Sequence, residues 1–270
     1  PGNAIKEFFF PRSEPIYSYT LAGADVKLDD IDPPGTPQVI LAARPCDAAF
    51  APILDRVFNW DYKDKFYNVR REVTTIVSLA CTEFDSQCFC TSVGITPEST
   101  QGADSLLVPA GEGRYEVRIL TDKGRKLFDG KTETASITGK ASPGPQVCFD
   151  VQKASAFIRD NFEHPLWNEI ALRCLGCGAC AYTCPTCHCF DIVDEGNAAG
   201  GRRVKNWDCC QFAPFTMHAS GHNPRSSQGQ RQRQRLLHKF FIYPDKFDEI
   251  LCTGCGDCTR NCPVGLGVLT

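Results

Sequence analysis

Cys174, Cys177, Cys180 and Cys184, followed by Pro185, are matched by Cys252, Cys255, Cys258 and Cys262, followed by Pro263, so C-x2-C-x2-C-x3-C-P occurs twice. That spacing is the thiolate pattern of iron-sulfur cubanes. Three thiolates spaced by two residues curl round one cluster, and the proline redirects the chain so that the fourth reaches the other. Two [4Fe-4S] clusters are therefore expected. One would sit on Cys174, Cys177, Cys180 and Cys262, the other on Cys252, Cys255, Cys258 and Cys184. A single C-x2-C pair would stay open between zinc, dithiol and cluster, but the ordered, doubled, proline-ended set does not. Gly176, Gly178, Gly254 and Gly256 lie between the ligands, either to permit tight turns or to turn backbone amides toward cluster sulfur. Gly176 to Ala181 formally fits G-x-G-x-x-A, but no strand and helix flank it as a nucleotide site requires.

Four more thiols lie upstream: Cys46, Cys81, Cys88 and Cys90. Four is the number a third cluster needs. Cys88 and Cys90 would emerge on one side of an extended segment, and Cys46 and Cys81 each follow an expected strand, where parallel neighbours would bring chain ends together. The competing reading is that they are buried small hydrophobes. Spacing alone leaves the two open.

Cys187-His188-Cys189 follows the first motif, and Cys209-Cys210, His218 and His222 come later. A zinc site with His218 and His222 one helical turn apart is one reading, thiols packed about a cluster another, and an extra cluster ligand a third. Cys148 stands alone and is expected in the core. Between Arg202 and Lys239 the chain carries eight basic residues, Arg202, Arg203, Lys205, Arg225, Arg231, Arg233, Arg235 and Lys239, against the single acid Asp208. The bland reading is a solvated loop. A functional one is compensation of anionic cubanes and docking of an acidic partner. Aromatics are not interleaved through the arginines, which argues against nucleic acid.

These thiols sit in a chain of 270 residues with 17 cysteines, too long and too apolar to need a disulfide scaffold, so metal ligation is their expected use. A net charge of -3 demands neither nucleic acid nor membrane. No run is apolar enough for a membrane span and no leader is visible, so a soluble protein in a reducing compartment, the cytoplasm, is expected. Pro1 in place of a methionine leads us to expect that a few residues are missing at the ends.

The elements that must position the thiols divide near Ala141-Ser142-Pro143-Gly144-Pro145, after the polar run Thr132 to Lys140. The expected class is α+β: an α/β domain over residues 1–145, then a mostly helical two-cluster ferredoxin-like domain over 146–270. In the first, Val39-Ile40-Leu41 and Thr74 to Leu79 read as strands, Ala48 to Phe58 as a helix, and Ser105 to Ala110 with Tyr115 to Leu120 as a hairpin about Gly111-Glu112-Gly113. In the second, Val151 to Asn161 has helical spacing and Pro165 opens a short helix. The 67 residues between Cys184 and Cys252 exceed what a compact ferredoxin places there. That insertion must carry structure of its own. Asn206, Asp208 and Asn223-Pro224 read as turns, and Ser226 to Gln234 as a flexible polar surface loop.

With Arg44-Pro45-Cys46-Asp47, Cys88-Phe89-Cys90-Thr91-Ser92, Cys184-Pro185-Thr186-Cys187-His188-Cys189-Phe190-Asp191, Trp207-Asp208-Cys209 and Gly221-His222-Asn223 in view, nearly the whole chain resembles the beta subunits of sulfhydrogenases and the related A subunit of anaerobic sulfite reductase. One departure is that Cys210 follows Cys209. The resemblance implies a third [4Fe-4S] cluster on Cys46, Cys81, Cys88 and Cys90. It also implies an electron conduit between a flavoprotein subunit and a catalytic subunit, such as a hydrogenase or a sulfite or sulfur reductase, in a cytoplasmic complex of an anaerobe. Many cluster ligands without a substrate constellation fit that expectation. The alternatives are a disulfide or sulfur-compound reductase using a cluster with Cys187, Cys189, Cys209 or Cys210 as extra thiols, and a zinc-dependent structural or nucleic-acid module.

Overall fold

The computed structural model describes residues 4–134 and 136–270, so Pro1 lies outside the described residues, as does Ala135 within the polar run Thr132 to Lys140. Strands β1 (Ser13–Ala22) and β2 (Asp25–Asp30) form a hairpin whose turn passes through Gly23 at φ 65°. Strand β3 (Gln38–Ala43) leads into the short helix α1 (Pro45–Ala48) and then α2 (Phe50–Val57). Helix α3 (Lys65–Val73) is capped by the Asp64 carboxylate, which accepts from the Tyr67 amide, and returns the chain to β4 (Thr74–Leu79). Strands β5 (Ser105–Pro109) and β6 (Tyr115–Ile119) make the hairpin expected about Gly111 and Gly113, and α4 (Asp122–Phe128) follows. The sheet order is β3-β4-β5-β6, with β3, β4 and β5 parallel and β6 antiparallel.

The later part contributes α5 (Val151–Asp160), α6 (Leu166–Ala171), α7 (Ala179–Tyr182), a hairpin of β7 (Phe190–Asn197) and β8 (Gly200–Trp207), α8 (Gln228–Leu237), α9 (Tyr243–Phe247) and α10 (Asp257–Arg260). A π-helical segment, His238–Ile242, joins α8 to α9. The hairpin pairs with β1, giving a second, antiparallel sheet in the order β2-β1-β8-β7. Two strands from before residue 145 and two from after it thus share one sheet, and the division expected there is crossed by backbone hydrogen bonds. Trp207 at the end of β8 also joins Phe9, Phe10, Phe50, Leu54, Phe58, Tyr67 and Ile76 in one buried cluster. The class is α+β, as expected.

Three local expectations are corrected. Ser226 to Gln234 is mostly helix α8, because Ser227 accepts from the Gln230 amide while the Gln230 side chain accepts from the Ser227 amide, a capping box. Its residues are nearly all polar, so no apolar periodicity marked it. Gly229 lets α8 approach α6, since a Cβ there would stand 2.4 Å from Asn168 Oδ1. Asn206, expected in a turn, lies within β8. Cys148, expected in the core, is exposed, its amide donating to Ser92 Oγ at 3.0 Å.

Candidate metal centres

The doubled motif folds twice the same way. Gly176 and Gly254 both stand at φ 65°, and Gly178 and Gly256, at 77° and 79°, open α7 and α10. These left-handed positions cost glycine little and other residues much. The turns aim thiols inward. Cys174, Cys177, Cys180 and Cys262 line one small cavity, and Cys184, Cys252, Cys255 and Cys258 line another. Each quartet is the one in which the fourth thiol comes from the other motif, so each cavity ties residues near 180 to residues near 260. We refer to them as the outer and middle cavities.

The cavity walls suit an anionic sulfur-rich group. At the outer one, Gln228 Nε2 and Gln232 Nε2 donate to Cys174 Sγ at 3.2 Å and 2.8 Å, and the Gly176 amide donates to it at 3.4 Å. At the middle one, Lys239 Nζ donates to Cys184 Sγ at 3.2 Å, to Thr186 Oγ1 at 3.1 Å and to the Leu251 carbonyl at 3.0 Å. Arg235 and Thr253 line the same cavity, 3 % and 2 % exposed, and Arg235 Nε and Nη2 and Thr253 Oγ1 have no hydrogen-bond partner among the described residues. A buried guanidinium without an acceptor is costly. A cluster with bridging sulfides on four thiolates would supply acceptors at that point, so the residues present fit the group. Burial opposes the Arg235 charge, but the thiols of Cys180, Cys258, Cys187 and Cys184 around it more than offset that and hold its pKa high.

The four upstream thiols also meet. The register of β3 beside β4 brings Cys46, in α1, and Cys81, just past β4, to the same edge of the parallel sheet. Cys46, Cys81, Cys88 and Cys90 line a solvent-open cavity of about 310 Å³. Cys88 and Cys90 reach it from a curled loop rather than an extended one, Cys90 starting a 3-10 turn. Arg260 Nη2 donates to Cys88 Sγ at 3.0 Å and to Asp85 at 2.8 Å, and Arg44 pairs with Asp47 and Asp257. The Arg260 hydrogen bond holds the Asp85 carboxyl far below the usual carboxylate range. Burial raises the thiols of Cys46, Cys81 and Cys90, so thiolate at this site calls for a bound cation. Cys255 lines both this cavity and the middle one.

The remaining thiols lie beside the dicluster loops. Cys187 is hydrogen-bonded to Cys184, which draws the Cys184 thiol down and pushes Cys187 up. Cys189 and Cys209 both hydrogen-bond to Cys210, lowering the Cys210 thiol to about 2 and raising theirs. Cys209 is fully buried, and its Sγ would lie 3.3 Å from a Cβ at Gly178. His218 and His222 are exposed in a loop, with rings 5.3 Å apart, not on a helix. Among the described residues, no three His, Cys, Asp or Glu side chains are arranged to hold a single metal ion. A cubane makes a different demand, since its four thiolates stand round a cluster and not round one ion.

The basic stretch divides in two. Arg231, Arg233, Arg235 and Lys239 are buried, so this part is interior wall and not the solvated loop or partner-docking surface expected, whereas Arg202 and Arg203 pair with Glu195 and Asp194 on the exposed hairpin. Sequence reasoning missed the contributions of Gln228, Gln232, Thr253 and Lys6. For Gln228 and Gln232 the available signal was their spacing with Arg235 and Lys239, four, three and four apart along the α8 face.

Residues 173–266 match the family described as 4Fe-4S dicluster domain. Sulfhydrogenase 2 subunit beta of Pyrococcus furiosus is 30 % identical over 245 residues, spanning 83 % of this chain and 70 % of that protein. No solved structure matches the chain. No helix among the described residues is long and apolar enough to cross a membrane.

Proposed function

Because this chain belongs to the family of sulfhydrogenase beta subunits and carries a 4Fe-4S dicluster domain, we propose that its work as an iron-sulfur electron-transfer subunit is to relay single electrons between a flavoprotein partner and a catalytic subunit. The observation that carries the reading is that three cavities are each lined by one expected thiol quartet. Cys174, Cys177, Cys180 and Cys262 would hold the outer cluster. Cys184, Cys252, Cys255 and Cys258 would hold the middle one, and Cys46, Cys81, Cys88 and Cys90 a third. A [4Fe-4S] cluster supplies one-electron storage whose potential follows hydrogen bonding, charge and burial. The protein supplies those three settings and the spacing. Cys255, shared between two cavity walls, supports a continuous path from the upstream site to the middle one.

The reading assigns the chain to a soluble cytoplasmic complex with its chemistry left to partners. Anaerobic purification followed by iron analysis and low-temperature EPR tests it. About twelve irons per chain are expected from three cubanes, falling by about four in Cys46→Ser or Cys88→Ser. Fewer than about eight irons in the parent would refute even the two-cluster assignment. Mass spectrometry of proteins copurified from native anaerobic extract tests the partners, and recovery of the chain with no flavoprotein or redox enzyme would count against them.

A further inference from the structure

One face of α8 and the π-helical turn after it carries Gln228, Gln232, Arg235 and Lys239, spaced four, three and four apart. Those positions stack along one side of a helix. The stripe runs past both dicluster cavities, and its charge changes along the way. At the outer cavity it offers two neutral amides, both to Cys174. At the middle cavity it offers the Lys239 ammonium to Cys184 and the unpartnered Arg235 guanidinium to the cavity itself. The motif repeat adds a further asymmetry: Thr253, with an unpartnered buried hydroxyl, stands where the outer loop has Leu175, 67 % exposed.

We infer that this stripe makes the middle centre the electron well of the pair, reduced before the outer centre, an ordering that rests on the ligand sets proposed above. Reduction adds one negative charge to an already anionic cluster. A cation in contact stabilises the reduced form more than a neutral amide does. Burial of the middle thiols works the other way, since a charge gains less from its surroundings where water is excluded. The same exclusion strengthens the two cations, which salt does not screen at 2 % and 3 % exposure. Lys239 is in contact with a ligand sulfur, so its effect is the larger. Arg235 lines the middle cavity, but its strongest thiol partner is Cys180 of the outer quartet, so it raises both centres and the ordering rests on Lys239.

The test is an EPR-monitored redox titration of the full chain, purified anaerobically with its clusters, in the parent and in Lys239→Met, Lys239→Arg and Gln232→Met. Lys239→Met should lower the higher-potential dicluster signal, cutting its reduced-to-oxidised ratio at fixed potential at least tenfold, which is 59 mV for one electron. Lys239→Arg should restore it. Gln232→Met should move the lower-potential signal instead. A Lys239→Met effect on the lower-potential signal, or none on either, overturns the ordering while the iron count and both signals leave the ligand assignment standing. Should Lys239→Met not fold, Lys239→Gln serves, and must lower the higher-potential signal more than the other. Absence of two dicluster signals in the parent would strike the ligand assignment itself.

Discussion

Lys6 Nζ donates to the carbonyl of Cys187 at 2.7 Å, a contact spanning 181 positions of sequence that puts an N-terminal cation beside the middle centre. The same ammonium donates to the Ala181 carbonyl at 3.2 Å and lies 4.3 Å from the centroid of the Trp207 ring. Burial pulls its pKa down while the thiols of Cys187 and Cys184 oppose that pull. Lys6→Met would remove the donor to the buried Ala181 carbonyl, at a cost of about 1–3 kcal/mol, and to the part-buried Cys187 carbonyl at less. Thermal unfolding of the loaded protein should therefore begin several degrees lower, at about 2–4 °C per kcal/mol for a chain near this size. A melting temperature equal to that of the parent would show that the contact contributes nothing.

Gly254 and Gly23 share a φ of 65° but differ in what surrounds them. A Cβ at Gly254 would stand 2.4 Å from Cys90 Cα and 2.7 Å from the Phe89 carbonyl carbon, whereas at Gly23 nothing lies within 4 Å. Backbone cannot step aside as a side chain can. Gly254→Ala should thus part the upstream loop from the dicluster loop, breaking the hydrogen bond that the Phe89 N–H donates to the Gly254 carbonyl at 2.9 Å, and lower iron by about four atoms per chain. Gly23→Ala carries only the conformational cost, about 1 kcal/mol. Iron content should separate the two variants, and equal iron in both would contradict the close approach.

That the dicluster thiols gather in two fours was legible in sequence because spacing of two and three residues dictates local geometry and a proline marks where the chain turns away, whereas spacing left Cys46, Cys81, Cys88 and Cys90 open. The crossing of Cys184 and Cys262 follows from the same rule. What the sequence did not reveal is carried by distance or by polarity. Lys6 reaches its site only because β1 pairs with β8, a contact between strands some 190 positions apart that no local pattern encodes. Helix α8 has a polar face turned inward, so apolar periodicity was the wrong signal, and the Ser227 to Gln230 capping box with the polar spacing 228, 232, 235, 239 was the right one. Cys148 shows the converse: a lone thiol is most often buried, and here the chain around residue 145 is too extended to enclose it.

Cys189 and Cys209 each pair with Cys210, and none of the three thiols lines one of the three cavities. Cys189→Ser and Cys210→Ser should accordingly keep the parent's iron content, because no assigned quartet loses a member. Partner-dependent electron transfer through the chain should persist as well. Loss of about four irons in either variant would mean that these thiols hold a cluster of their own. Loss of turnover with iron intact would instead favour the catalytic thiol alternative.

His188 and His238 predict how the chain responds to acid. Their rings meet edge to face at 5.2 Å, and His188 Nδ1 lies 3.0 Å from the Thr186 carbonyl. Burial first, then the facing histidine and the cations of Lys239 and Lys6, depress the His188 pKa to about 3; burial, Lys239 and Arg225 depress that of His238 to about 4, with Cys210 pulling the other way. Both groups titrate near 6.5 in the unfolded chain. Between that value and the folded ones the unfolded state binds more protons, so the stabilisation from these rings is complete above about pH 6.5 and is lost as pH falls toward 4. Denaturant midpoints measured anaerobically from pH 7 to pH 5 should fall in the parent and fall less steeply in His188→Asn and His238→Asn. Acid lability of the clusters is common to all three proteins, so the difference in slope isolates the histidines. Parallel slopes would show that neither ring is held neutral by its surroundings.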